Sequence, residues 1–346
     1  MGDLNGDGLP DIVLGKGCHW PLYNRVLLND GKGGFIGSNL GIAPDRTYSA
    51  ALADIDGDGD LDIIVSNDAP DRKLLYLNDG KGRFSEAGTF GSPDWPTRYV
   101  TLADLNGDGY PDIVAANRGN YPDPVDHKPG VGSKEPSPSF VCLNDGKGHF
   151  PICKVLPTES ATSIVAADLD GDGSLDLFVP HRDGGQSIIL WNDGKGHFPT
   201  STKVGTDADW IRIGAAGDFD GDGRLDLAII DEQKQATFVI YNLGRRHFRK
   251  PERLPGPPSA PYALALADLN RDGRLDIVVG NVEMPGSVYY NKGRHRFEEV
   301  RWNDGKGTVY GFAFADFNND GWPDIVAARS DAPNAIWLST KPEPVR

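Results

Sequence analysis

The sequence predicts an all-β, seven-bladed β-propeller of four-stranded antiparallel blades, and three observations predict it. A nine-residue pattern, Asp-x-Asp/Asn-x-Asp-Gly-x-x-Asp, recurs seven times, beginning at Asp3, Asp54, Asp104, Asp168, Asp218, Asp268 and Asp316. The intervals are 51, 50, 64, 50, 50 and 48 residues, and a period of about 50 is what a four-stranded blade needs. Between the copies run stretches of four to six residues, rich in β-branched and aromatic side chains and without helical periodicity, which read as strands.

Within one period the elements follow in a fixed order. An apolar run precedes the Asp-rich loop (residues 50–53, 100–103, 164–167 and 263–267) and a second follows it (62–65, 112–115, 176–179 and 276–279). A third (74–77, 187–191, 237–241 and 288–290) ends at a turn such as Asn78-Asp79-Gly80-Lys81-Gly82, after which a fourth short strand opens near Phe84. Glycines in these turns supply the positive φ that a tight hairpin requires. The long third interval reflects a Pro/Gly-rich insertion over 117–139, read as a surface loop. Only Met1 and Gly2 stand before the first loop, and the chain ends on a proline-containing stretch, so a strand is missing at each end. The expectation is a trimmed or mis-started chain that has also lost a signal peptide; the alternative is an open ring whose edges need protection.

At 346 residues, the whole chain, 1–346, is read as one such domain. No apolar run approaches membrane-spanning length. Three cysteines are too few for a disulfide framework or a zinc site. Cys142 and Cys153 flank the turn at 144–148, where they are either a cross-strand disulfide or two thiols, and Cys18 stands apart.

Each loop offers four side-chain oxygen donors within nine residues and a glycine at its sixth place, the chemistry of a hard-cation site for Ca²⁺. The candidate ligands are Asp3, Asn5, Asp7 and Asp11; Asp54, Asp56, Asp58 and Asp62; and Asp104, Asn106, Asp108 and Asp112. The later repeats contribute Asp168, Asp170, Asp172 and Asp176; Asp218, Asp220, Asp222 and Asp226; Asp268, Asn270, Asp272 and Asp276; and Asp316, Asn318, Asp320 and Asp324. The seventh place adds a backbone carbonyl, as at Asp60. An EF-hand is excluded: its twelfth place needs Glu, whereas here it is Leu14, Val65, Ala115, Val179, Ile229, Val279 or Ala327, each inside the second strand. The bland alternative is an Asp-rich turn held by its own hydrogen bonds without metal. Charge favours calcium: the four ligand places hold 24 of the 50 acidic residues, and seven Ca²⁺ would bring +14 against a formal −15. The acidity is therefore ligand charge and does not call for a basic partner.

The loop, the Leu-Asp-Ile-Val strand after it and the Leu-Asn-Asp-Gly-Lys-Gly-x-Phe hairpin resemble FG-GAP (VCBS-type) repeats, the units of the integrin α-subunit propeller and of many bacterial secreted proteins. The resemblance spans essentially the whole chain. It implies seven blades with Ca²⁺ in the loop joining the first two strands of each. All seven repeats carry the loop, unlike integrins, where only some blades do; this is closer to bacterial and fungal members, some of them lectins. Some propellers of similar build are polysaccharide lyases.

In such a fold the loops and Asn-Asp-Gly-Lys-Gly turns share one face. The opposite mouth is expected to carry two rings. The inner ring stands six residues before each loop: Tyr48, Arg98, Thr162, Arg212, Tyr262 and Tyr310. The second stands thirteen after each loop's first Asp: Lys16, Asn67, Asn117, His181, Asp231, Asn281 and Arg329. Arg46, Tyr99, His19, Trp20, Arg118, Arg182 and Trp210 would extend this surface. Aromatic platforms with hydrogen-bond donors suit a sugar, and the arginines suit an anionic one. The leading expectation is a secreted carbohydrate- or surface-ligand-binding module. An alternative is a uronate polysaccharide lyase using His181, Tyr48, Tyr262 or Tyr310 as acid or base, with Arg98 or Arg212 neutralising the substrate carboxylate. A third is a protein–protein adhesion scaffold. The acidity and the lack of a basic stripe exclude nucleic acid, and calcium dependence points to the periplasm or the cell exterior.

Overall fold

Why seven Asp-rich loops make seven sheets is visible in a computed structural model, which describes residues 1–18, 20–119, 137–182, 185–302 and 304–339. His19 and most of the insertion lie outside the described residues. The chain is a seven-bladed β-propeller, all-β, with no helix among the described residues. Repeats 2 to 6 each form a four-stranded antiparallel sheet, and repeats 1 and 7 form three-stranded ones.

Two compact units divide the chain. The first holds the sheets of repeats 1 to 4. Repeat 2 shows the blade at its most regular: Thr47–Ala53, Asp62–Asn67, Lys73–Asn78 and Phe84–Phe90, each hydrogen-bonded to the next. The second unit holds the sheets of repeats 5 to 7 together with Asn29–Gly34 and Leu169–Gly171. Its repeat 6 runs Pro261–Ala267, Asp276–Asn281, Gly286–Asn291 and Phe297–Trp302.

Burial explains the composition of each strand. Every residue of Asp62–Asn67, Asp112–Asn117, Asp226–Asp231 and Asp276–Asn281 is buried, because the second strand is covered on both faces and so reads as a continuous apolar run. The fourth strand is an edge, and Phe84–Phe90 is largely exposed. The core lies between successive blades. In the first unit Ile55, Ile64 and Leu75 of repeat 2 pack on Ile113, Ala115 and Cys142 of repeat 3. In the second, Phe219, Ile230 and Val239 of repeat 5 meet Leu264, Ile277 and Val279 of repeat 6. The second residue of the Asp-rich loop belongs to this core: Leu4, Ile55, Leu105 and Phe219 are at most 1 % exposed. The same nine residues thus place donors outside and an apolar plug inside. Cys142 and Cys153 sit opposite each other in register and are joined as a disulfide.

Candidate metal loops and ligand face

Each Asp-rich loop is shaped by its own carboxylates. In repeat 2 the backbone N–H of Gly57 donates to Asp54 Oδ1 at 2.7 Å and that of Gly59 to Asp54 Oδ2 at 3.0 Å. The N–H of Asp60 donates to Asp58 Oδ1 at 2.9 Å. These are the Asx-type bonds expected of a tight polar turn, and they turn the remaining lone pairs toward one another. Carboxylate oxygens of Asp54, Asp56 and Asp58 lie within 4.8 Å of one another, as do those of Asp168, Asp170 and Asp176, and of Asp218, Asp220 and Asp226. Such all-oxygen sets fit a calcium ion, which takes several oxygens at about 2.4 Å.

The ninth-place aspartate does more than the sequence reading assigned to it. Asp62 is fully buried; its Oδ2 accepts from the N–H of Ile55 at 3.0 Å and its Oδ1 from that of Asn78 at 2.9 Å. Asp226 and Asp276 repeat the arrangement with Phe219 and Asn242, and with Leu269 and Asn291. Burial pushes the carboxyls of Asp62, Asp226 and Asp276 up to about 6, against the opposing pull of these backbone bonds. At the outer end the balance reverses. Burial would raise Asp3, but the N–H groups of Gly8, Asn5, Gly6 and Asp7 together hold it below the usual carboxylate value.

One set of residues escaped the sequence reading. In repeats 2 to 6 the asparagine that opens the turn between the third and fourth strands reaches back to the second residue of the preceding repeat's loop. Asn192 Nδ2 donates to the carbonyls of Leu105 at 2.8 Å and Leu175 at 2.9 Å. Asn78 does so to Leu4 and Leu61, Asn144 to Ile55 and Pro111, and Asn291 to Phe219. The signal was present in the recurrence of Asn at the start of the turn, which a hairpin alone does not require.

On the first strands, the places six residues before the loops are β-bulges. Register shifts fall between Thr47 and Ser49, Thr97 and Tyr99, Ile211 and Ile213, Pro261 and Ala263, and Val309 and Gly311. The residues skipped are Tyr48, Arg98, Arg212, Tyr262 and Tyr310, the predicted inner ring. Repeat 4 differs, since its first strand, Val165–Ala167, begins after Thr162. A bulge re-aims its side chain out of the sheet's alternation.

In the first unit Arg98 lies over the Tyr48 ring, 4.1 Å from its centroid, and pairs with Asp68 at 2.7 Å. In the second, Arg212 lies 3.3 Å over Tyr262, donates through Nε to the Tyr262 carbonyl at 2.9 Å and pairs with Glu232 at 3.2 Å. Tyr310 meets Tyr262 edge-on, with centroids 4.8 Å apart. A pocket of about 120 Å³ opens beside Tyr262, lined by Glu232, Gln235, Ala260, Pro261 and Val282.

The outer ring is turned inward instead. Asn67, Asn117 and Asn281 are at most 1 % exposed. Asn67 and Asn117 accept from Thr47 and Thr97, and all three amides donate to backbone carbonyls, of Arg72, Pro138 and Pro285 respectively. Asp231 is buried against Lys234, His181 is buried, and Arg329 pairs with Asp304 and caps the Pro333 carbonyl. The asparagine amides and Arg329 thus tie down the turns after the second strands, while His181 Nδ1 is buried with no hydrogen-bond partner among the described residues; Lys16 alone of this ring is exposed. Among the outlying candidates Trp20, Tyr99 and Trp210 are exposed, and Arg46 pairs with Asp71.

Blades opened by oxygen-rich turns define a β-propeller of the Asp-loop class. The chain belongs to the FG-GAP repeat family: the FG-GAP-like repeat matches residues 3–65, 54–115, 168–229, 218–279 and 268–327, and the FG-GAP repeat 100–132. It is similar to cartilage acidic protein 1 of Xenopus tropicalis, 31 % identical over 167 residues, covering 46 % of this chain and 25 % of that protein. A T-cell immunomodulatory protein homolog of Plasmodium yoelii yoelii is 26 % identical over 246 residues, covering 54 % and 34 %. The chain thus spans about a quarter to a third of the length of these relatives. Among solved structures, an Agrocybe aegerita lectin that recognises non-reducing terminal N-acetylglucosamine shares the fold with a TM-score of 0.60 at 22 % identity, covering 95 % of this chain and 84 % of that one. Among the described residues no helix is long and apolar enough to cross a membrane.

Proposed function

We propose that the chain is a calcium-fastened propeller that binds carbohydrate through the bulge-borne face opposite its Asp-rich loops. The observation that carries the reading is that five first strands carry a bulge at one place and each gives it to Tyr or Arg. A bulge interrupts the ladder and contributes nothing to blade packing that a regular strand would not. Repeating it under Tyr and Arg suits side chains that meet a ligand.

The ligand class follows from the pairing. Arg98 and Arg212 are already neutralised by Asp68 and Glu232, so a uronate would have to break an ion pair to use either. A neutral sugar needs no such exchange. Its apolar face stacks on Tyr262 or Tyr310, and its hydroxyls bond Glu232 and Gln235 at the pocket rim. Resemblance in fold to a lectin supports the same class. The same pairing argues against the lyase reading.

Calcium would be held by the first, third, fifth and ninth places of the loops, with the ninth place also tying the loop to the turn. Bound metal supplies the positive charge that lets several carboxylates share one turn. Calcium-dependent loops work where the ion is plentiful, outside the cell or in the periplasm.

A glycan array probed with the wild type and with Tyr262→Ala tests the reading. Binding to neutral glycans that is lost in Tyr262→Ala supports it. Silence across a broad neutral panel, or full binding by the variant, rejects it.

A further inference from the structure

Three of the seven loops carry aspartate at all four side-chain places: those beginning at Asp54, Asp168 and Asp218. The other four have asparagine third, and its amide donates to the fifth-place carboxylate. Asn5 bonds Asp7 at 3.0 Å, Asn106 bonds Asp108 at 2.9 Å, and Asn270 and Asn318 bond Asp272 and Asp320 at 3.1 Å. An all-aspartate loop loses that donor and gains a negative charge. Its need for a cation is greater.

The three loops meet the need differently. Against the third place lies the fifth residue of the next repeat's Asn-Asp-Gly-Lys-Gly turn. A Cβ at Gly82 would lie 3.5 Å from the Asn5 Cβ, and one at Gly148 3.5 Å from the Asp56 Cβ. In repeat 5 this residue is Arg246, whose Nε and NH2 donate to Asp170 Oδ2 at 2.8 and 2.7 Å. In repeat 6 it is His295, with Nε2 3.7 Å from Asp220 Oδ2.

The backbone shows how unusual this is. Gly82 and Gly148 have φ of 72° and 75°, and Arg246 and His295 keep the same left-handed conformation at 63° and 59°. Glycine adopts it freely; an L side chain does so at a steric cost. A turn shaped for glycine has thus been given an arginine at the one place that reaches the extra carboxylate of the preceding loop.

We propose that Arg246 is a tethered counter-ion of the loop at Asp168, so that calcium binds there weakly, whereas the loop at Asp54, which faces Gly148, is a tight site. The proposal rests on the calcium reading above. Its physical basis is that a fixed guanidinium on Asp170 removes an acceptor oxygen and sets a positive charge beside the incoming ion, and ligand charge tunes calcium affinity over decades. Calcium loading is then stepwise, and the loop at Asp168 keeps its shape when calcium is scarce.

The test is isothermal titration of EDTA-stripped protein with calcium, alongside equilibrium dialysis with metal analysis for stoichiometry. Arg246→Gly installs the residue that the other turns carry; Arg246→Met keeps the stem and removes only the charge. Each is expected to tighten one weak step by about tenfold or more and to raise the number of tight sites by one. Gly148→Arg is expected to weaken the tight step. Isotherms of Arg246→Gly and Arg246→Met that superimpose on the wild type, or shift to weaker binding, overturn the proposal and leave the calcium reading standing. A wild type that takes up no calcium overturns both.

Discussion

Replacing Asn192 with alanine should cost more stability than any exposed change on the same turn. Its amide donates to the carbonyls of Leu105 and Leu175, and its Oδ1 accepts from the N–H groups of Gly194 at 3.0 Å and Gly196 at 3.2 Å. The side chain is 4 % exposed, so alanine strands all four partners. Water can reach the glycine N–H groups at the turn more easily than the two carbonyls between strands. Counting only the carbonyls, at about 1–3 kcal/mol for each buried group left unpaired, the loss is about 3 kcal/mol. With a urea dependence of about 3 kcal/mol per molar for a chain of this size, the unfolding midpoint falls by about 1 M. Trp191, buried beside Asn192, reports the transition by fluorescence, in saturating calcium so that metal loss does not contribute. Lys195→Ala, on the exposed side of the turn, should move the midpoint by less than about 0.2 M. If Asn192→Ala moved it no further than Lys195→Ala, the inter-repeat bond would be ornamental and the account of how blades are fastened would fail.

Other expected outcomes follow from the buried ionisable groups. The carboxyls of Asp62, Asp226 and Asp276 titrate near 6 against about 4 in an unfolded chain. In EDTA the folded protein therefore holds protons that the unfolded chain has released, and its stability should fall as pH rises from about 4 to 6. Calcium needs the same groups ionised, so the rise in melting temperature that it produces should be small at pH 4.5 and large at pH 7; a rise independent of pH would count against these ligands. Lys73 is fully buried and its Nζ donates to the carbonyls of Asp71, Pro93 and Trp95 at 3.2, 3.1 and 2.7 Å. Lys73→Met should lower stability by about 2 kcal/mol or more, measured as the shift in urea midpoint, despite filling similar volume.

The repeat spacing, strand order, loop composition and three-stranded first and last sheets were legible in the sequence because each depends on local periodicity. Turn glycines and β-branched runs are short-range signals, and seven copies average out local ambiguity. What was not legible depends on contacts between elements distant in sequence. Asn67, Asn117 and Asn281 read as donors at a mouth because strand ends usually meet water; only the fold shows Thr47 and Thr97 hydroxyls and neighbouring carbonyls consuming them. The places six residues before the loops can be found by counting, yet the bulge that takes five of their side chains out of the sheet cannot be counted from one strand alone. Likewise no local pattern marks Arg246, whose guanidinium meets Asp170, 76 residues away in sequence.

The seven repeats also divide their duties between their two ends. First, fifth and ninth loop places are aspartate in every copy: in repeat 2 the first and fifth accept from N–H groups of their own loop, and the ninth from the loop's second residue and from the turn of its own repeat. At the five bulges Tyr, Arg, Arg, Tyr and Tyr succeed one another, because a residue outside the ladder answers to no common partner. Fastening therefore constrains one end identically in all blades, and the other end can vary without loosening the core. Selectivity for a ligand has to be sought where variation is physically permitted, and among the described residues that is the set of bulges rather than the loops. Exchanging Tyr262 for Arg should accordingly alter what is bound while leaving the urea midpoint within about 0.3 M of the wild type. A collapse of stability in that variant would show the bulge to be a packing device after all.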